Sequence, residues 1–230
     1  MPELITDLTN ALFKMAGEMA RSPKGTRCED FISAAAAFAG EICMRKAADF
    51  DFDNSTFTPG KRVFSQKINA VLSGNVTEWK DVPVTSAFGT LYNLLTRSRE
   101  IAWPPGTFPG IAQIYENFAK GLGHGASPAQ WGYVPLSLSP AHLPQVPPLR
   151  SAFELRQVAL GITGKQPIPT DALFAASSIT LIKALTVTRS AIDNAVAIRL
   201  ALETMNGMAK TAPVLPRHMQ EFAAQAKAGS

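Results

Sequence analysis

The sequence predicts an all-α fold: an irregular multi-helix bundle of about seven to nine helices, partly covered by one long, uncharged, proline- and glycine-rich segment. Three observations carry that expectation. Apolar residues recur at helical spacing through most of the chain. The stretch from Asp171 to Ala212 holds no proline and only Gly207. Gly121 to Leu149 holds no Asp, Glu, Lys or Arg, yet carries six of the 17 prolines. With 230 residues, the chain is long enough for one sizeable core and short for two, so one domain spanning 1–230 is expected.

The first helix is expected from Glu3 to Ala20, with Leu4, Leu8, Leu12, Met15 and Met19 on one face and Asp7, Asn10, Lys14 and Glu18 on another. Arg21 to Gly25 breaks it. A second helix, Cys28 to Ala47, lines one side with Phe31, Ala35, Phe38 and Ile42, while Ala34, Ala36, Ala37 and Gly40 leave room for close neighbours. Thr58-Pro59-Gly60 has the form of a helix start, Thr as N-cap and Pro in the first turn, and Gly74 that of a stop. Val63, Phe64, Ile68, Val71 and Leu72 are the expected buried side of that helix. Trp79 and Pro83 lie in a connector. Thr85 is placed to cap a helix running through Phe88, Leu91 and Leu95 to Ser98, and Trp103-Pro104-Pro105-Gly106 is a break.

A short helix from Pro109 to Gly121 leads into the uncharged segment, whose prolines forbid long helices and central strands alike. Leu149 to Leu160 restores a helical pattern. The β-branched run Ile179 to Thr188 admits a strand, but the surrounding length favours a helical hairpin over 171–212 with a break near Ser190 to Asp193. Asp193 then caps a helix whose polar stripe is Arg199, Glu203, Asn206 and Lys210. The preceding helix, with Leu173, Phe174, Ile179, Leu181, Ile182, Leu185 and Val187, keeps only a narrow polar face and belongs at the centre of the bundle or at an oligomer interface. Pro213 and Pro216 set off a last short helix around Met219, Phe222 and Ala226.

Composition limits the partners. Charged residues make up 17% of the chain, below the usual value of about 25%, so a homo-oligomer is expected. The net charge of +4 comes from scattered pairs such as Lys61 with Arg62 and Arg45 with Lys46, which argues against a nucleic-acid partner. Glu3 and Asp7 stand where a signal peptide would be basic and then apolar, so a cytoplasmic protein is expected. No stretch of about 18 apolar residues runs uninterrupted by charge, so no membrane insertion is expected. Cys28 and Cys43 share one helix at a separation of roughly 22 Å, too far for a disulfide, and are expected reduced and buried.

No constellation forms a complete chemical motif. Asp49, Asp51 and Asp53 alternate like the first ligands of a calcium loop, but Asn54 stands where the sharp turn needs Gly and Gly60 where a bidentate Glu belongs. A solvated connector with Phe50 and Phe52 turned inward is the expected form. His124, between Gly123 and Gly125, is the candidate for a general base or metal ligand, and His142 and His218 are expected to be structural. Ser127, Ser137 and Ser139 lack the Gly-x-Ser-x-Gly elbow. Gly161 to Lys165 lacks the first glycine and the Ser/Thr of a phosphate loop. Arg97 and Arg99 with Trp103 offer ion pairing and stacking for an anionic aromatic ligand, although a basic last turn of a helix has the same composition. Trp131-Gly132-Tyr133 is the best local candidate for ligand contact.

Two functions follow as expectations. One is a non-enzymatic homodimer that binds a mostly apolar small molecule or a protein partner through Trp131 and Tyr133, with no cofactor. The alternative is an enzyme acting on a small organic substrate with His124 as its base or metal ligand.

Overall fold

The computed structural model describes residues 1–52, 57–97, 103–121, 131–164, 166–215 and 218. Eight α-helices occupy these residues: α1 (Pro2–Met19), α2 (Cys28–Ala47), α3 (Gln66–Ser73), α4 (Ala87–Arg97), α5 (Ile111–Gly121), α6 (Pro148–Ile162), α7 (Thr170–Thr188) and α8 (Asn194–Ala209). The only described sheet is a two-residue hairpin, β1 (Arg21–Ser22) against β2 (Gly25–Thr26). The fold is all-α, and its helices lie close to where the sequence puts them.

The centre is α2, packed on by α8, α7, α6, α3 and α1. From Asp30 to Met44 every residue of α2 is buried. Its small residues bring α8 very near: a Cβ on Gly40 would lie 2.4 Å from the Met205 carbonyl oxygen and 2.9 Å from the Met208 Cβ. The two helices therefore touch backbone to backbone, which only glycine allows at that point. Met205 and Met208 are core residues at this crossing. Asp193 caps α8 as expected, its Oδ1 accepting from the Ala195 and Val196 amides at 2.9 and 3.1 Å.

Two starts differ from expectation. Thr58-Pro59-Gly60 forms a turn, and α3 begins at Gln66 with Ser65 as its cap, the Lys67 amide donating to Ser65 Oγ. Residues 60–63 are drawn out of helical form by pairing with the chain just after α8: Gly60 N donates to Ala212 O, Ala212 N to Lys61 O and Val63 N to Lys210 O, at 2.7–2.9 Å. Phe64, expected inside, is consequently exposed. At α4, Ser86 rather than Thr85 is the cap, its Oγ accepting from Gly89 N.

The hairpin over 171–212 is helical in both arms, with the turn where expected. Its two arms rest on α2 more than on each other. By length and composition α7 reaches the range of a membrane-crossing helix, even with Lys183 inside it; 39% of its most apolar window is buried in the bundle. Its inward face sets small and hydroxylic residues around Leu181 and Leu185. Ala172, Ala176, Ser177, Thr180, Ala184 and Thr188 are buried, and the hydroxyls of Ser177, Thr180 and Thr188 donate to carbonyls three or four residues back. Its aliphatic Ile179 and Val187 point outward.

The polar stripe expected on α8 is not a water-facing stripe. Glu203, Asn206 and Lys210 are 2%, 0% and 5% exposed. The short helix expected around Met219 to Ala226 falls outside the described residues.

Candidate functional site

The uncharged segment is fastened by charged groups that other elements supply. Glu203 of α8 accepts from Ser137 N at 2.7 Å and Ser137 Oγ at 2.5 Å, and from Asn117 Nδ2 of α5 at 2.9 Å. Asp30 of α2 accepts from the Gln145 and Val146 amides at 2.6 and 2.9 Å. Arg27 donates to the Ala141 carbonyl, Arg62 to the Tyr133 carbonyl, and Glu29 pairs with His142 Nδ1 at 2.9 Å. A non-helical backbone packed on other elements needs partners for its N–H and C=O groups, and side chains of α2 and α8 with Arg27 and Arg62 supply them at these points. Shape completes the fit. Val134 lies over Gly207 and Pro135 over Gly121, where an added Cβ would come within 2.6 and 2.2 Å.

Trp131 and Tyr133 belong to this cover. The Tyr133 hydroxyl donates to the Gln145 carbonyl at 2.6 Å, within the segment itself. Trp131 packs beside Gly60 and Leu149, on a small cluster with Val134, Phe153 and Met208. Gly132 turns the chain at φ +82, and its carbonyl accepts from Leu149 N. His124, the residue on which the catalytic alternative turns, lies outside the described residues.

The other candidates are dispersed. Trp103 is in the core at 2% exposure, while Arg97 stands exposed in the last turn of α4. Arg99 lies outside the described residues. Asp49 binds Lys67 at 2.8 Å and accepts from Ser65 Oγ, which together hold its carboxyl below the ordinary value. It thus tethers the start of α3. Asp51 is exposed, Asp53 is outside the described residues, and Phe50, Phe52 and Phe57 cluster with ring centroids 5.3–5.6 Å apart. Among the described residues no group of three His, Cys, Asp or Glu side chains is placed to hold a metal ion. Cys43 is buried and its thiol is pushed up to about 12 by desolvation, whereas Cys28 is half-buried.

A cleft of about 800 Å³ opens elsewhere, between the C-terminal end of α2, α6 and the start of α7. Ile42, Phe50, Leu160, Ile168 and Leu173 supply its apolar walls, and Arg45 and Arg156 its cationic side. Both arginines converge on Glu41, which is 1% exposed: Arg45 Nε donates to Oε1 at 2.9 Å, and Arg156 Nη1 donates to the same oxygen. Burial pushes the Glu41 carboxyl up, but Arg156 and Arg45 outweigh it and hold it below the ordinary value. Arg156 also donates to the Val214 carbonyl and lies over the Phe153 ring, so it is fixed on every side. Arg45 is different. Its terminal amino groups have no partner among the described residues.

Nothing in composition marks this triad, but one signal does point to it. Glu41 is the single acid within the otherwise apolar middle of the second helix, with Arg45 one turn on. No protein-family model, curated protein or solved structure matches this chain.

Proposed function

We propose that this is a binding protein whose cleft between α2, α6 and α7 takes a small, mostly apolar organic acid. The observation that carries the reading is Arg45: its terminal donors have no partner among the described residues and stand beside apolar walls, while Glu41 holds its Nε. A monocarboxylate head would take the fork of Arg45 in a bidentate pair, and the apolar body would lie on Ile42, Leu160, Ile168 and Leu173. The volume is in the range of small-molecule sites. Asp49 and Asp51 on the rim disfavour a second negative charge on the ligand. The ionisable groups suit holding a charge rather than moving a proton, because arginine stays protonated and the Glu41 carboxyl is held ionised between two of them.

The test is a thermal-shift and calorimetric series of saturated monocarboxylic acids of increasing chain length, on the wild-type chain and Arg45→Gln. A ligand present at a hundred times its Kd adds about 2.7 kcal/mol of stability. Affinity should rise with chain length and fall at least tenfold in Arg45→Gln. No shift with any acid, or an equal shift in the variant, would overturn the reading.

A second reading concerns assembly. The outward aliphatics of α7, Ile179 at 39% and Val187 at 56% exposure, with half-buried Ile182 beside them, favour a homo-oligomer joined through this face. Lys183 leaves the strip clear by folding onto α1, its Nζ 5.0 Å from the Phe13 ring centroid. Light scattering on the wild type and Val187→Asp should show a dimer and a monomer; a wild-type monomer at all concentrations contradicts it.

A further inference from the structure

Lys210, buried, and Arg62, half-buried, lie on the same aromatic ring without a carboxylate partner among the described residues. Lys210, just past α8, has its Nζ 2.8 Å from Asn206 Oδ1, 4.3 Å from the Tyr115 ring centroid and 5.4 Å from that of Phe118. Arg62 lies against the same Phe118 ring, its Cζ at 5.6 Å, and donates to Tyr133 O and Thr211 Oγ1. Among the described residues neither cation has a carboxylate within 4 Å. Their neighbours are neutral carbonyls, hydroxyls, an amide and two aromatic rings.

This arrangement is unusual in a protein interior, where charges are paired because desolvation is otherwise uncompensated. Glu203 is the acid of the same helix face, but it sits seven residues from Lys210, about 10 Å along the helix, and its oxygens are taken by Ser137 and Asn117. The two cations and one distant acid leave the cluster with an excess positive charge. Its third feature is a donor. Asn206 is fully buried; its Oδ1 holds Lys210, and its Nδ2 has no partner among the described residues. Being on the same amide, that orphan N–H group lies alongside the ammonium.

We infer that Arg62, Lys210 and Asn206 form a binding site for a small oxyanion, bound as the missing counter-ion of the two cations. One oxygen would accept from the Asn206 amide and others from the ammonium and guanidinium, giving the charge-assisted bonds that oxyanions favour. Desolvation also draws Lys210 down to about 8 and lowers Arg62, the direction expected of cations that lack a counter-charge. The site is separate from the cleft of α2, α6 and α7 and does not depend on it.

The test is thermal denaturation of the full chain at pH 7 and constant ionic strength, with inorganic phosphate, sulfate, formate and acetate titrated separately. At an anion concentration ten times its Kd the midpoint should rise by about 3 to 6 °C and climb thereafter with the logarithm of concentration. Lys210→Met should abolish the shift, and Lys14→Met, an exposed lysine, should retain it. Response to phosphate and sulfate alone assigns a tetrahedral oxyanion; response to formate and acetate alone assigns a carboxylate. No logarithmic shift with any anion overturns the inference, as does an equal shift in Lys210→Met, which reports general salting-out. Arg62→Gln gives a second reading at the same site, with an affinity loss of at least tenfold.

Discussion

Helices α7 and α8 are adjacent in sequence and similar in length, yet they solve burial in opposite ways. Helix α7 turns small residues and hydroxyls inward alongside Leu181 and Leu185, and leaves aliphatic Ile179 and Val187 outward. Helix α8 turns a carboxylate, an amide and an ammonium inward and leaves its first turns to meet water. On α7 the inward hydroxyls bond to their own helix, so packing needs nothing from elsewhere. On α8 the inward Glu203 needs partners, and α5 and the uncharged segment provide them. Hydrophobicity along a helix therefore tells how much of it is apolar, not which side is inside, when the inside polar groups are partnered.

That contrast can be broken experimentally, beginning with the closest contact. Gly40→Ala would push a Cβ onto the Met205 carbonyl and should cost about 3 kcal/mol or more by overpacking, or abolish folding, as read by denaturant unfolding. Glu203→Ala should cost about 3 kcal/mol, because Ser137 and Asn117 lose a buried, charged acceptor. Glu203→Gln should cost less, since the amide oxygen still accepts one of those bonds. On α7, Val187→Ser in the monomer should change stability by no more than about 0.5 kcal/mol, because the side chain is exposed.

Stability against pH sharpens the same comparison. Lys210 titrates at about 8 when folded against 10.5 when free, so the unfolded chain holds more protons between those values and stability rises with pH across that window. The gain is on the order of 3 kcal/mol and should vanish in Lys210→Met. Glu41 acts in the opposite range. Its carboxyl is held below 4.5, so its contribution is present above that value and is lost as pH falls through the folded value. An acid arm steeper in the wild type than in Glu41→Gln, itself less stable at pH 7, is the expected profile.

The order of the helices was readable because caps and breakers act locally: Asp193, Gly74 and the Trp103-Pro104-Pro105-Gly106 run have their effect within a few residues. Thr58-Pro59-Gly60 misled because its competitor was distant, the backbone pairing of residues 60–63 with residues 210–212. The candidate sites follow the same division. Trp131 and Tyr133 stood out by composition and prove to be part of the cover, whereas Glu41, Arg45 and Arg156 are an ordinary acid and two ordinary arginines until the fold brings α2 and α6 together. Glu203, Asn206 and Lys210 have the spacing of a surface stripe, and spacing does not report what covers it. The absence of charge in 121–149 is matched in its described part, residues 131–149, by charged partners drawn from α2, α8, Arg27 and Arg62.

The Ser137 amide reports most directly on whether the uncharged segment is clasped to the buried stripe of α8. Native-state hydrogen exchange followed by NMR should find it exchanging only with global unfolding, at the same free energy as the central amides of α8, because its N–H donates to Glu203 and not to water. Exchange at the rate of an exposed loop, with α8 still protected, would contradict it.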